Sequence, residues 1–358
     1  MFPHLFHWKS TALLLTTIIS LAIVSAHAEE TGHQHGMKHD MKHENHSQHQ
    51  ASSIQHEHAH HAHKSGSWMF EYRYMRMEMD QLLAGSDSVA ATDVARMGSI
   101  YKNSAGGTYM MVPTDMSMDM HMLMGMYAQS DNLSWMVMLN YLNNNMNMIA
   151  MTGARSNMRA TGLGDLELGA MYRVYNQESA QLLANLGISL PTGSITQSNA
   201  QGMLPYAMQL GSGTYDLKPS LTYRDSHNQW GWGLQASYTF RSGENSQGYT
   251  LGNRAEGQGW LKFNLAKNTS LSGRLTLSDW QGISGSDTGI TMMQRNMSPT
   301  FDALNSGGRR LDASIGISHM LSKGHMLGAA YGIPLHQNLD GLQMKTKQMF
   351  SFSWQFMY

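Results

Sequence analysis

Alternation of apolar and polar residues, repeated over most of the chain, is the feature that most restricts its fold. From Ser67 onward, segments of about ten residues alternate in this way and are separated by clusters of Gly, Asn, Ser and Asp. Successive side chains of a β-strand point to opposite faces, so a period of two predicts strands. We count twelve segments, which begin near Trp68, Tyr109, Leu133, Gly162, Leu182, Thr214, Gln229, Arg254, Thr269, Arg309, His325 and Lys347.

The connections between these segments indicate a closed barrel. Bacterial transmembrane barrels have an even number of antiparallel strands, with short periplasmic turns and longer extracellular loops. We expect short connections near Ser130, Gln177, Ser226, Lys267 and Lys323, and long ones around Asp87, Ala154, Asn199, Gly243, Ser298 and Asp340. The sequence therefore predicts an all-β fold, a transmembrane antiparallel up-and-down β-barrel of about 12 strands in the bacterial outer membrane, with both termini in the periplasm.

The last segment, FSFSWQFMY, places aromatic side chains on one face. These residues are Phe350, Phe352, Trp354, Phe356 and Tyr358. The pattern resembles the assembly signal of outer-membrane barrels, so we expect the barrel assembly machinery to be a partner. A soluble β-sandwich is the alternative, but an exposed aromatic edge strand would be an aggregation hazard in such a fold.

The N-terminal residues differ in composition from the rest. An apolar run from Ala12 to Val24 precedes a small-x-small site at Ala26–Ala28, the pattern of a secretory signal peptide. Residues 29–66 contain eleven histidines and few apolar residues, so they cannot bury enough surface to fold alone. We therefore expect a signal peptide at 1–28, a disordered His- and Met-rich periplasmic tail at 29–66, and an outer-membrane β-barrel at 67–358.

Composition excludes several classes of function. Charged residues make up 14% of the chain, against roughly 25% in soluble domains, which favours a surface in contact with outer-membrane lipid. A net charge of −1 gives no basis for binding nucleic acid. The chain has no cysteine, which excludes disulfides, thiolate metal sites and thiol nucleophiles.

Methionine occupies every second position from Met116 to Met126 in the stretch DMSMDMHMLMGMY, so six thioethers share one face of a strand. Two interpretations are open: this face lines the lumen of the barrel, or it contacts lipid. The lumen interpretation turns Ser117, Asp119 and His121 outward, which requires this part of the strand to project beyond the apolar band of the membrane.

The neighbouring segments favour the interpretation that the methionines line the lumen. In LSWMVMLNY, the face from Leu133 to Tyr141 is apolar and suits lipid, which leaves Met136 and Met138 inward. On the first segment, Met75, Met77 and Met79 continue the face of Glu71 and Arg73. We therefore predict that the methionines line the lumen, together with polar residues of later strands: Asp165, Glu167, Arg173, Asp216, Lys218 and Arg224.

Histidine and methionine together indicate a metal-binding protein. Imidazole binds copper, zinc and nickel, whereas thioether ligands select copper(I) and the equally soft silver(I). We therefore expect copper as the bound ion, with silver(I) or zinc(II) as alternatives. The candidate ligands are His33, His35, Met37, His39, Met41, His43, His46, His49, His56, His58, His60, His61, His63, Met75, Met77, Met79, Met116, Met118, Met120, Met122, Met124, Met126, Met136 and Met138.

Several stretches resemble the phenol-degradation MetA-pathway family of bacterial outer-membrane proteins, whose members are usually described only as transporters. They are GLGDLELGAMYRVY at Gly162 to Tyr175, SLPTGSI at Ser189 to Ile195, LGSGTYDLKPSLTY at Leu210 to Tyr223, GRRLDASIGISHML at Gly308 to Leu321 and YGIPLHQNLDG at Tyr331 to Gly341. The methionine-rich segments are similar to a branch associated with heavy-metal resistance, and the layout resembles copper-resistance outer-membrane proteins. The resemblance implies transport and supplies no catalytic residues.

Three functions are compatible with these features. The first is binding, sequestration or export of copper or silver in metal resistance, with periplasmic metal carriers or efflux components as partners. The second is a passive outer-membrane channel for small apolar or aromatic solutes. The third is a twelve-stranded hydrolase resembling the outer-membrane phospholipase, but none of the five barrel histidines lies in a nucleophile motif, so we predict no enzyme. Histidine-rich tracts do not identify one metal.

Overall fold

The computed structural model describes residues 65–177, 179–321 and 324–358. The predicted signal peptide, and the predicted tail as far as residue 64, lie outside these residues. In chain order the strands are β1 (Trp68–Gly85), β2 (Asp87–Val89), β3 (Met111–Ala128), β4 (Leu133–Ala150), β5 (Arg155–Leu163), β6 (Leu166–Gln177), β7 (Ala180–Leu190), β8 (Ser198–Asn199), β9 (Gly202–Met203), β10 (Tyr215–His227), β11 (Trp230–Ser242), β12 (Tyr249–Thr250), β13 (Arg254–Ala266), β14 (Thr269–Trp280), β15 (Ser284–Gly285), β16 (Gly308–Met320) and β17 (His325–Met357).

Helical structure in the described part of the chain is limited to short segments. They are α1 (Ala91–Val94), α2 (Met292–Met297) and the 3-10 turns Tyr206–Met208 and Pro299–Phe301. Among the described residues, no helix has the length and apolar character needed to cross a membrane.

Eleven of the strands form a closed antiparallel ring. The order is β17-β16-β14-β13-β11-β10-β7-β6-β4-β3-β1, and β1 pairs back onto β17. The long strand β17 reverses at Gly341, where φ is +73°. Residues before the reversal pair with β16 and residues after it pair with β1, so β17 crosses the wall twice. The predicted barrel of about twelve strands is confirmed, and closure leaves the ring without a free edge strand.

The alternation of the sequence becomes an inner and an outer surface. On β3, the side chain of Leu123 is 56% exposed on the outside, whereas Met116 and Met126 are 3% and 1% exposed on the inside. The aromatic residues predicted on the last strand also face outward, as in Phe350 and Trp354. An apolar outer belt of this kind is what a lipid bilayer requires of a barrel.

The outer belt ends at the same level on β1, β3 and β4. Tyr74, His121 and Tyr141 are directly opposite one another at this level, and the ring of His121 lies 5.2 Å from that of Tyr74 and 6.3 Å from that of Tyr141. Beyond it, the outward side chains are polar and bond to one another: Arg76 to Asp119 at 3.1 Å, for example. Aromatic residues typically mark the membrane interface, so the polar ends of these strands project past it.

Ser117 and Asp119 lie on this projecting outer surface with His121, as the lumen interpretation of the methionines requires. The carboxylate of Asp119 accepts a hydrogen bond from the Tyr74 hydroxyl at 2.6 Å. His121 Nδ1 is 2.8 Å from the Tyr72 hydroxyl. Polar residues on this face are therefore tolerated because their partners lie on neighbouring strands.

The connections divide the barrel into two ends. The turn end carries the first described residue Ser65, the last described residue Tyr358 and the short turns, such as residues 129–132 and 228–229. The loop end carries the four long loops at residues 86–110, 191–214, 243–253 and 281–307.

The prediction of long loops around Ala154 and Asp340 is wrong. The Ala150 amide donates to the Ala154 carbonyl at 2.8 Å in a tight turn, and β17 reverses within a few residues at Gly341. Both stretches contain Gly and Asn. Here those residues belong to polar strand ends above the membrane band, which have the composition of a loop but the pairing of a sheet.

Candidate functional site

The inward side chains of β1, β3 and β4 form a continuous surface rich in methionine. Strand pairing aligns them in six rows, each with one residue from each strand. From the turn end to the loop end, the rows are Met69–Met126–Met136, Glu71–Met124–Met138, Arg73–Met122–Asn140, Met75–Met120–Leu142, Met77–Met118–Asn144 and Met79–Met116–Met146. We call these residues the methionine wall. The prediction that the methionines face the interior is confirmed.

A cavity of about 440 Å³ lies against the middle of the methionine wall. The second, third and fourth rows and Met136 of the first row supply its lining on this side, including Met75, Met120, Met122, Met124 and Met138. Directly opposite residues in an antiparallel pair have Cβ atoms about 4.5–5.5 Å apart, so thioethers from two strands can contact the same small molecule.

The opposite side of the cavity is polar. It is lined by side chains of β6, β7, β10, β11 and β13. Its charges are paired across strands: the Lys218 ammonium binds the Glu167 carboxylate, and the Arg241 guanidinium binds the buried carboxylate of Asp216. Arg254 binds Glu256 at 2.8 Å. Paired charges of this kind keep the net charge of this surface low.

A buried carboxylate lies where the methionine wall meets the cavity. Glu71 is 4% exposed, and its Oε1 accepts from Arg73 Nε at 2.8 Å and from Arg73 Nη2 at 2.6 Å. Its second oxygen, Oε2, is buried without a hydrogen-bond partner, and so is Oδ1 of Asn140 in the next row. Buried acceptors are normally satisfied, so both oxygens require an explanation.

The loop end is closed by a lid, which we define as the four loops at residues 86–110, 191–214, 243–253 and 281–307. Its apolar underside packs on the loop-end part of the methionine wall and on the adjoining part of β5. The lid supplies Leu204, Met208, Leu210, Ile290 and Phe301, and the barrel supplies Met116, Met146, Met148, Met158 and Ala160. Packed apolar side chains of two of the loops therefore cover the loop-end part of the methionine wall.

Hydrogen bonds between loops hold the lid together. Asn103 Nδ2 donates to the Asn296 carbonyl at 2.8 Å, and Gln294 Nε2 donates to the Met203 carbonyl at 3.0 Å. Gln294 also forms a capping box with Thr291 at the start of α2. These bonds connect three of the four loops, so the lid is one packed layer.

Burial in the lid shifts two titratable groups. Desolvation raises the pKa of the Tyr249 hydroxyl to about 12. It also raises the pKa of the Asp287 carboxyl, although backbone amides of Gly289 and Ile290 donate to that carboxyl and oppose the shift. Burial in the lid therefore disfavours the charged form of both groups.

Methionines also fill the turn end. Met69, Met126 and Met171 pack with Leu183 in a buried cluster. Met69 and Met126 of the first row are therefore packed against other side chains, whereas Met136 of the same row also lines the cavity.

The structure places the predicted barrel ligands in three locations, with Met77 apart from them. Met75, Met120, Met122, Met124, Met136 and Met138 line the cavity. Met79, Met116 and Met118 lie in or against the cluster beneath the lid, and Met126 lies in the turn-end cluster. Met77 is paired with Met118 and with Met349 of β17.

Metal binding by these residues stays a prediction. The histidines and methionines of the tail lie outside the described residues. Within residues 65–177, 179–321 and 324–358, no three His, Asp or Glu side chains come together as a metal site.

Several inward methionines were not among the predicted ligands. Met146 and Met148 continue the alternation of Met136 and Met138 on the same strand, so following the period further along β4 would have found them. Met158 is 9% exposed and lies opposite Met146. No sequence signal marks the unpartnered oxygen of Glu71, because it depends on how Arg73 binds that carboxylate.

Comparison with solved structures gives one clear similarity. The fold matches that of the COG4313 outer membrane channel from Pseudomonas putida F1 with a TM-score of 0.60, at 15% sequence identity, over 83% of this chain and 97% of that chain. The chain folds as a bacterial outer-membrane β-barrel. An identity this low establishes the shared fold and not a shared cargo.

Two further structures match this barrel more weakly. The toluene transporter TodX of P. putida has a TM-score of 0.41 at 7% identity, over 83% of this chain and 91% of that chain. A Pseudomonas aeruginosa FadL homologue has a TM-score of 0.40 at 11% identity, over 81% of this chain and 90% of that chain. Both TM-scores lie below 0.5 and indicate nothing specific about function.

No family model matches the sequence, and no curated protein matches it at a significant level. The outer-membrane barrel implied by the sequence resemblance is confirmed by the fold. The family itself, and the copper-resistance branch, stay predictions.

Proposed function

We propose that this protein is an outer-membrane channel that passes small apolar or aromatic solutes through the barrel lumen. The observation that carries this proposal is the cavity of about 440 Å³ with thioether side chains on one side and paired charges on the other. Small-molecule sites typically occupy roughly 300–1,000 Å³ and combine apolar lining with a few polar groups. Methionine is flexible and polarizable, so its side chains adapt to solutes of different shape.

The orientation follows from the rule for bacterial barrels. Short turns and chain termini lie in the periplasm and long loops lie outside the cell. The lid is therefore on the extracellular side, and a solute must displace part of it to reach the cavity. The packed apolar underside of the lid offers an apolar solute contacts along that path.

The test is uptake of a radiolabelled one-ring aromatic hydrocarbon by bacteria that lack their own aromatic transporters and express this chain. Met122→Trp places a large ring in the cavity and should reduce uptake to the level of cells without the protein. Leu123→Trp is the matched control. Leu123 is next to Met122 in the sequence, but its side chain is 56% exposed on the lipid side of the barrel. Equal uptake with and without the protein, or equal uptake by the two variants, would contradict the proposal.

A further inference from the structure

The second and third rows of the methionine wall bring soft and hard donors to one place. Met124 of β3 lies directly opposite Met138 of β4 and, on its other side, Glu71 of β1. Met122 is two residues from Met124 on the same face and lies opposite Asn140. Directly opposite residues of antiparallel strands have Cβ atoms about 4.5–5.5 Å apart, so two flexible thioethers at such positions can bind one ion.

The unpartnered oxygens lie in these same two rows. Glu71 Oε2 and Asn140 Oδ1 are both buried without a donor. Both atoms are acceptors, and the side chains of Met122, Met124 and Met138 have no proton to give them. A cation bound between the thioethers would supply the positive partner that these oxygens lack in the protein.

Charge and ligand type narrow the choice of cation. The negative charge of Glu71 is already balanced by Arg73, and thioethers are neutral, so the local charge is close to zero. Such a site accommodates one positive charge more easily than two, because a divalent ion would remain uncompensated in a partly buried position. Thioether ligands also select soft ions.

We infer that the second and third rows form a binding site for a soft monovalent cation, copper(I) or silver(I), with Met124 and Met138 as the central ligands. Met122 is the third thioether within reach, and Glu71 Oε2 faces the bound charge. The site does not depend on solute passage, so it stands or falls separately from the proposed channel function. Nickel and zinc prefer imidazole or carboxylate sets, which the described part of the barrel does not bring together.

The experiment is a silver(I) titration of the full chain in detergent, followed by X-ray absorption at the silver edge. Silver(I) is used because it is as soft as copper(I) and keeps its oxidation state in air. Met124→Leu with Met138→Leu removes both central thioethers while conserving volume and apolar character, so the barrel should still fold. Met292→Leu with Met293→Leu is the matched control, since these methionines are 77% and 72% exposed on α2 of the lid.

We call the protein with Met124→Leu and Met138→Leu the wall variant. We expect it to bind less silver per chain and to lose sulfur coordination that the control variant keeps. Unchanged stoichiometry and unchanged sulfur coordination in this double variant would overturn the inference, because thioethers other than Met124 and Met138 would then account for the binding. Coordination by nitrogen and oxygen alone in the unaltered chain would also overturn it.

Two further measurements test the part played by Glu71 and the independence of the site from solute passage. Glu71→Gln should weaken silver binding without removing sulfur coordination, and an unchanged affinity would contradict the role given to Oε2. The wall variant should still take up the aromatic solute, because leucine keeps the cavity apolar. If the wall variant bound silver normally but no longer took up the solute, the silver binding would refute the metal site. The loss of uptake would remain consistent with the channel function.

Discussion

At the scale of single residues, packing in the barrel interior places small residues next to large side chains. Gly233 is one such residue. A Cβ atom at this position would lie 2.2 Å from a ring carbon of Trp260 on the neighbouring strand. Trp260 is 8% exposed, and the guanidinium of Arg274 lies 5.1 Å from the centre of its ring. Gly233 therefore makes room for an aromatic–cation contact inside the barrel.

Gly233→Ala should destabilise the barrel, because the added methyl group must displace Trp260 from Arg274. Overpacking of this kind costs roughly 1–3 kcal/mol. The measurement is the temperature at which the purified protein loses its folded band on unheated gels. Gly273→Ala is the control, since a Cβ at Gly273 meets nothing within 4 Å. Equal temperatures for the two variants would show that Trp260 moves without cost.

The sequence predicted whether a side chain faces the lumen or the lipid wherever the alternation on one strand could be compared with that on an adjacent strand. The inward position of Met116 and the outward position of Asp119 followed from one such comparison. The state of Glu71 could not be predicted, because the unpartnered oxygen results from both Arg73 contacts falling on the same carboxylate oxygen. Side-chain geometry of that kind is not encoded in an alternation pattern.

At the level of elements, the lid shows how loops close a barrel that strands alone leave open. Leu204, Met208 and Phe301 have 1%, 0% and 3% of their surface exposed, respectively. They come from two loops that are far apart in sequence and meet over the loop-end methionines. Burial of these side chains is the main apolar contact that keeps the lid on the wall.

Leu204→Ser, Met208→Ser and Phe301→Ser together should raise the conductance of the protein in planar lipid bilayers. The substitutions replace buried apolar contacts with groups that water solvates, so the lid should leave the wall more often. Met292→Ser with Met293→Ser alters the same lid at exposed positions and should leave the conductance unchanged. A triple variant with the conductance of the unaltered protein would mean that the lid does not limit passage.

Strands were predicted better than their connections for a physical reason. A strand in a membrane barrel must alternate lipid-facing and lumen-facing residues, and this is visible in sequence. The polar ends of β4 and β5 carry Asn143, Asn145, Asn147 and Asn157 on the outer face, which resemble a loop in composition. Only pairing with a neighbouring strand shows that they are part of the sheet, as in Asn147 opposite Asn157.

For the molecule as a whole, the barrel is already hydrogen-bonded from its first described residues. The Ser65 amide donates to Asp131 at 2.9 Å, and the Gly66 amide donates to the Ala128 carbonyl at 2.8 Å. The ring then closes by pairing β1 with β17. All of these contacts lie C-terminal to the histidine-rich residues.

Deletion of residues 33–63 should lower the amount of copper bound per chain and leave the barrel heat-modifiable on gels. The reason is that the deleted residues hold all eleven tail histidines, whereas the ring closes through residues after Ser65. A variant with glutamine at those histidines is the control, because it keeps the length and removes the imidazoles. Loss of the folded band on deletion, with copper binding retained by the glutamine variant, would contradict the predicted division of the chain.

The unequal lengths of the strands make the rim of the barrel uneven. Strands β1, β3 and β4 have 18 residues each, whereas β10, β11 and β13 have 13. Five residues at about 3.3 Å each correspond to a length difference of about 16 Å along the strands. The lid loops at residues 243–253 and 281–307 start from the low side of the rim, and the apolar underside of the lid rests against the high side. Loop 281–307 therefore contacts the methionine wall on the high side, whereas its covalent attachments lie on the low side. We expect displacement of this loop to open the mouth of the barrel along the high side.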